Sequence, residues 1–288
     1  MRCLCVIALL PALLVAANEI SPSLSYGIEE RDFHWQISGV GGTPNVLSEL
    51  DWHDMRSQRL NLGIEASIDQ FNAELLSSFY VVEKGKVRDS DYEQNNKRDE
   101  YSRSYGDSSS SEFMNFAAFV GWRLPLSESL ELLPQIGYRY ARDKYKYNDG
   151  RQMIPYIKPI EGADSSYRYE THSIGSRAKL LFAPSALIDR VAITGGFFWC
   201  DYKADAYWNL RDLHFTQTVT GYEGELGLEA LWRLSDAFSF FAQYEYRVIS
   251  AENGTDRTRQ PNGRTSSQPL KEVSMSSRSL LIGLRGNF

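Results

Sequence analysis

Two pairs of side chains in this sequence have the types and spacing to do chemistry. Asp89 and Asp91 flank a single residue within Gly85-Lys86-Val87-Arg88-Asp89-Ser90-Asp91-Tyr92, and Asp212 and His214 flank a single residue farther along. Residues two apart in an extended chain project to the same face, so each pair acts as a unit. Two carboxylates so placed share a proton or hold one water, and such a pair acts as a base. A carboxylate beside a histidine fixes the imidazole tautomer and makes an oriented acid–base pair. Spacing alone does not single out Asp212 and His214, because Asp32-Phe33-His34 and Asp51-Trp52-His53 repeat it. Asp-x-Asp in a polar segment also serves ordinary turn chemistry.

The elements that must position these pairs are strands. From Ser279 to Phe288, apolar Leu280, Ile282, Leu284 and Phe288 alternate with Ser279, Arg285 and Asn287, and the chain stops on an aromatic residue. Leu60, Leu62, Ile64, Ala66 and Ile68 alternate with Asn61, Gly63, Glu65 and Ser67 in the same way. Period two of this kind recurs in about ten segments, the first of them around residues 33–39 and the third around 73–81. At the amino terminus Met1 and Arg2 precede an apolar run from Cys3 to Val15, too short to span a bilayer, followed by small residues at Ala16 and Ala17. This predicts a secretory signal over residues 1–17, cleaved near Ala17, and a single mature domain over 18–288. Export combined with alternating strands predicts an all-β fold: a transmembrane, antiparallel, up-and-down barrel of about ten strands in the outer membrane of a Gram-negative-type envelope.

Connection lengths support this topology. Residues 69–70, 125–128, 184–189 and 235–237 are short, whereas 83–111, 148–165, 204–213 and 251–270 are long and polar. Short periplasmic turns opposite long extracellular loops are the pattern of such a barrel, and a β-sandwich has no reason to sort its loops this way. The faces opposite the apolar ones carry Glu65, Arg123, Arg139, Arg177, Lys179, Glu223, Glu225, Glu229, Arg233, Glu245, Arg247 and Arg285. Those charges belong in the lumen, where both signs pair and fill a barrel of this size. Trp35, Trp52, Trp122, Trp199 and Trp232 are expected to face lipid or form the interfacial girdle.

Composition narrows the function classes. No segment beyond the leader is apolar over the roughly 20 residues of a membrane helix. Cys200 is the one cysteine outside the leader, so no internal disulfide forms in the mature chain. The formal net charge of −6 and the lack of a basic run argue against nucleic acid as a partner. Outer-membrane lipid or lipopolysaccharide, and a peptide or surface ligand at the external loops, are the expected partners. Neither a metal nor a cofactor is expected, since two carboxylates alone make a poor cation site.

Two family resemblances follow. Leu50-Asp51-Trp52, the segment Lys84 to Tyr92, and the ten-strand plan ending on Phe resemble the omptin outer-membrane proteases. In that family an Asp pair on one wall faces an Asp-x-His pair on the other, and the latter activates water for peptide cleavage. The resemblance places Asp89 and Asp91 in the first pair. The second pair is Asp212 and His214 if the motif is matched directly. Anchoring on Trp208-Asn209-Leu210-Arg211 instead gives Asp205 and Tyr207, and a phenol titrating near pH 10 is a poor base. Gly42-Thr43-Pro44-Asn45-Val46-Leu47-Ser48-Glu49-Leu50-Asp51-Trp52 and Ala206-Tyr207-Trp208-Asn209-Leu210-Arg211 are similar to the Protochlamydia outer membrane protein family. That resemblance implies a non-enzymatic envelope barrel, porin-like or partner-binding. The omptin resemblance implies an endopeptidase using Asp89, Asp91, Asp212 and His214.

Overall fold

The computed structural model describes residues 17–184 and 188–288, so the expected leader lies outside the described residues except for Ala17. Thirteen strands form one sheet: β1 (Glu19–Ile37), β2 (Ser48–Ile68), β3 (Phe71–Gln94), β4 (Arg98–Asp107), β5 (Glu112–Trp122), β6 (Leu124–Ser127), β7 (Leu130–Ile154), β8 (Lys158–Pro159), β9 (Asp164–Phe182), β10 (Arg190–Trp208), β11 (Leu213–Arg233), β12 (Phe238–Arg259) and β13 (Thr265–Gly286). All pairings are antiparallel, and β1 closes the ring by pairing with both β2 and β13. β4 and β5 share one position between β3 and β7, β5 in the lower half and β4 in the upper, which makes a ring of ten. The short β6 and β8 pair only with β7. The final residue is tied in, with the Phe288 amide donating to the Ile20 carbonyl at 3.1 Å and the Ile20 amide donating to that of Phe288 at 2.8 Å.

The expected short turns at 69–70, 125–128 and 235–237 lie at the end where the chain termini meet, and the one at 184–189 falls partly outside the described residues. The long polar segments lie at the other end, which is external by the loop-length rule. Most of each segment continues the strands: β3 runs to Gln94 and only residues 95–97 separate it from β4. The first strand likewise begins at Glu19, well before the expected residue 33.

Polarity inverts along the strands. In β1 the lower outward residues are Leu24, Tyr26 and Ile28, and the lower inward ones include Ser25, Glu29 and Arg31; higher up, Phe33, Trp35 and Ile37 point inward while Asp32 and His34 point outward. β10 does the same: Ile193, Phe197 and Trp199 are exposed outside, then Tyr202, Ala204 and Ala206 are buried inside beside exterior Asp201, Lys203 and Asp205. In the hydrocarbon the outer face must be apolar, and the lumen takes the polar groups. Above it water wets the outer face, so burial must come from inside.

The lower lumen is filled by ion pairs. Glu223, fully buried, accepts from Arg247 at 2.8 Å, from Ser173 at 2.8 Å and from Arg139. Arg285 meets Glu229 at 2.9 Å, Arg123 meets Glu65 at 2.9 Å, and Glu74 takes both Arg177 and Lys179. Arg177 also stacks 3.4 Å above the Phe119 ring. Of the expected lumen charges, Arg233 sits instead at the lower rim, 60% exposed and paired with Asp189 at 2.9 Å. The upper lumen is an aromatic core in which Phe33 lies 4.8 Å from Tyr145 and 4.7 Å from Tyr169, and Trp52 lies 5.0 Å from Tyr145 and 5.1 Å from Tyr167. Trp35 and Trp52 are thus interior residues, contrary to the girdle expected for them, while Trp122 and Trp199 are half-exposed on the lipid face. Arg31, held by Glu29 at 2.7 Å and Asp143 at 3.0 Å, separates the two fillings with its guanidinium 4.1 Å over Phe113.

Candidate functional site

Asp89 and Asp91 lie on the part of β3 above the apolar band, and both point inward, as does Val87. Their neighbours follow from register: Asp89 stands between Leu50 of β2 and Ser104 of β4, and Asp91 between Ser48 and Ser102. Carboxylates are out of place in an interior that is otherwise aromatic, and this is what marks the position. The Tyr147 hydroxyl, donating to Ser104 at 2.8 Å, and Tyr167 form the adjoining wall. Burial, followed by the repulsion of Asp91, pushes the Asp89 carboxyl well above the ordinary carboxylate range, and the Arg211 guanidinium opposes this. Asp91 is also raised by burial, against hydrogen bonds from Ser48 and Ser102 and the charge of Arg211. The pair therefore retains a proton to higher pH than a free carboxylate does, the expected behaviour of two acids sharing one enclosure.

The structure does not bring the expected second pair to this place. His214 faces outward on β11, opposite Tyr207 on β10, with the two rings 4.7 Å apart. Asp212 is exposed in a left-handed turn, φ 51°, and accepts from the Tyr207 hydroxyl at 3.2 Å. Asp205 also points outward and pairs with Arg168 at 3.1 Å. The inward positions of β10 at this level are Ala204, Ala206 and Trp208, the last 5.1 Å from Tyr147. Neither Asp212 with His214 nor Asp205 with Tyr207 reaches the chamber that holds Asp89 and Asp91.

A second polar cluster, missed at the level of sequence, lies on the outer wall behind the Asp pair. Glu49 is 1% exposed although it sits on the outward face, because the Tyr92 hydroxyl donates to it at 2.7 Å and Arg88, Lys97 and Gln36 close over it. Asp51 bonds His34 Nδ1 through one oxygen, and the other oxygen accepts from Arg88 Nε at 3.0 Å. Burial works against the charged form of Asp51, but His34 and Arg88 outweigh it and hold the carboxyl below the ordinary range. Ligand atoms of His34, Glu49 and Asp51 approach within 4.8 Å of one another. Arg88 and Lys97 already neutralise those carboxylates, so the cluster is a salt-bridge network and a poor fit to a cation. The signal available in the sequence was the alternation of Asp32, His34 and Gln36 with Phe33, Trp35 and Ile37.

Comparison with known proteins bears on the fold and the family. The crystal structure of the outer membrane protease OmpT from Escherichia coli superposes with a TM-score of 0.80 over 94% of this chain and 97% of that one, at 10% identity, which establishes a shared fold. The translocator domain of the autotransporter NalP from Neisseria meningitidis gives a TM-score of 0.41 at 13% identity, covering 99% and 95% of the two chains. The toluene transporter TodX from P. putida gives 0.34 at 8% identity, covering 96% and 92%. A comparison with curated proteins finds no match. The model of one family, Protochlamydia outer membrane protein, matches residues 23–288, and this outer-membrane β-barrel belongs to that family.

Proposed function

We propose that the chain, exported by a leader cleaved near Ala17 and seated in lipopolysaccharide-bearing membrane, is a closed envelope barrel that binds a partner protein at its external end. On this reading its interior neither conducts solutes nor cleaves peptides. The observation that carries the reading is the position of exposed apolar side chains above the membrane band: Val40, Tyr156, Ile157 and Leu210 sit at the tips of three connections and are 37–77% exposed. Apolar side chains held out to water at the same end of the barrel, away from lipid, are available to a partner's apolar surface. The filled lumen argues against diffusion, and the outward placement of His214 argues against water activation by Asp89 and Asp91, since the His expected opposite them is not in their chamber.

The test has two arms. The refolded barrel in planar bilayers is expected to pass no steady current, and it is expected to leave a quenched fluorescent peptide library intact with or without lipopolysaccharide. A photocrosslinking residue at position 156 or 157 in the intact envelope is expected to yield a discrete protein adduct, with none from position 174 on the lipid face. Conductance, peptide cleavage lost on Asp89→Ala, or equal crosslinking at all three positions would each overturn the reading.

A further inference from the structure

Three adjacent strands set three side chains in one lateral row on the outer wall. β1 pairs with β2 so that His34 stands opposite Asp51, and with β13 so that His34 stands opposite Ser274. Side chains directly opposite in antiparallel strands have Cβ atoms about 4.5–5.5 Å apart. His34 Nδ1 is bonded to Asp51 Oδ1, and Arg88 engages the second carboxylate oxygen, so the acid is fixed and the imidazole is oriented by it. With Nδ1 taken by Asp51, Nε2 is the ring nitrogen left for another group, and register makes Ser274 the β13 neighbour of His34, although no hydrogen bond joins the two among the described residues. Ser274 is partly buried, and while its backbone belongs to the ladder its hydroxyl makes no hydrogen bond among the described residues. Asp51, His34 and Ser274, with Asp32, Val248 and Ser276, line one open groove of about 740 Å3.

We propose that Ser274, His34 and Asp51 act as nucleophile, general base and orienting acid of an esterase site on the outer wall. Acid, base and hydroxyl in this relation are recognised by geometry and role, whatever fold carries them. Ser274 Oγ attacks the ester carbonyl carbon while His34 Nε2 takes the hydroxyl proton. Collapse of the tetrahedral adduct breaks the bond to the leaving alkoxide, which receives that proton and departs as an alcohol. Water, deprotonated by His34, then cleaves the acyl-serine to a free acid and restores both side chains. Position selects the substrate class. His34 lies six residues beyond Ile28, the last apolar outward residue of β1, so the groove opens above the hydrocarbon and takes an ester presented from the aqueous side. The inference is independent of the partner-binding reading, since it uses neither the loop tips nor the lumen.

The experiment uses the refolded full mature barrel, p-nitrophenyl butyrate as substrate and a fluorophosphonate as active-site probe. One adduct, mapped to Ser274, is expected. Ester hydrolysis is expected to fall roughly 100-fold or more in Ser274→Ala and in His34→Gln, with heat-modifiable gel mobility unchanged. A second variant keeps the proposal open to refutation if hydrolysis of this ester is slow. In Ser274→Cys the new thiol should react with iodoacetamide at neutral pH at least about tenfold faster than in the Ser274→Cys, His34→Gln double variant. Cys200 is fully buried and does not compete. An adduct on another residue, hydrolysis unchanged by Ser274→Ala, or equal alkylation of the two cysteine variants would overturn the assignment.

Discussion

The lumen around Glu223 and the lumen around Trp52 are both closed, but one is filled by charges and the other by rings. At the lower level Arg139, Arg247 and Ser173 converge on one carboxylate. At the upper level Phe33, Trp52, Tyr145 and Tyr169 pack against one another with little charge between them. The same strands run through both regions, so strand propensity does not explain the difference. The solvent on the outer face does. Lipid removes the hydrophobic driving force from the membrane-embedded half, and its interior coheres by hydrogen-bonded ion pairs. Water restores that driving force above, and the upper half is an ordinary β-barrel with an apolar core.

The largest effects should come from breaking each filling on its own terms. Glu223→Leu leaves Arg247 buried without its acceptor and Arg139 with Glu225 alone, a loss of about 3–5 kcal/mol. It should appear as an earlier urea midpoint in vesicles, and adding Arg247→Leu, which keeps Arg139 paired with Glu225, should recover most of it, because an apolar replacement of both partners of a buried ion pair is nearly neutral. Trp52→Ala removes the largest fully buried side chain of the upper core and is expected to cost about 3–5 kcal/mol. No charge compensation should rescue that variant. If a compensating charge did so, the two halves would not differ in kind.

A smaller effect tests the outer face along a single strand. Leu226 of β11 is 63% exposed in the apolar band, and Leu226→Arg should cost about 2–4 kcal/mol, read as reduced insertion and refolding yield. Thr216 lies on the same outward face ten residues higher, exposed and opposite Arg257 of β12. Thr216→Arg should change stability by no more than about 0.5 kcal/mol. Equal costs at the two positions would remove the boundary between lipid and water that the comparison places between them.

Much of this was readable by counting in twos, and the misreadings have identifiable causes. Counting back from lipid-facing Tyr222 puts His214 outward, and counting forward from Trp199 puts Asp205 and Tyr207 outward, which is where they are. The Asp-x-His spacing was legible, but the face it occupies required carrying parity through from the membrane. Trp52 resists such counting, because β2 and β3 each gain a residue between Ser57 and His53 and between Val82 and Lys86, with Asp54 in the left-handed region at φ 53°. That bulge moves Trp52 and the Asp pair inward and Asp51 outward. Cross-strand partners are a further limit: nothing in the spacing of His34, Asp51 and Ser274 announces that three strands bring them side by side.

The smallest effect concerns the one place where the upper core breaks its own rule. Asp89 is an acid in an apolar chamber, and its carboxyl is raised by burial and by Asp91. A raised acid pKa means that the folded state binds a proton the unfolded state has released. Its contribution to stability is therefore greatest below the unfolded pKa and is lost as pH rises through the folded value. Asp89→Asn removes that titration while retaining the shape of the side chain. The variant should be more stable than the parent by about 1–2 kcal/mol at pH 8, with the gap narrowing toward pH 4, as read from urea midpoints across that range. A stability cost at pH 8 would mean that the ionised form is favoured, with Arg211 outweighing the enclosure. Asp89 would then be a structural ion-pair partner like Glu223 far below it, and the upper chamber would follow the lower rule at that one point.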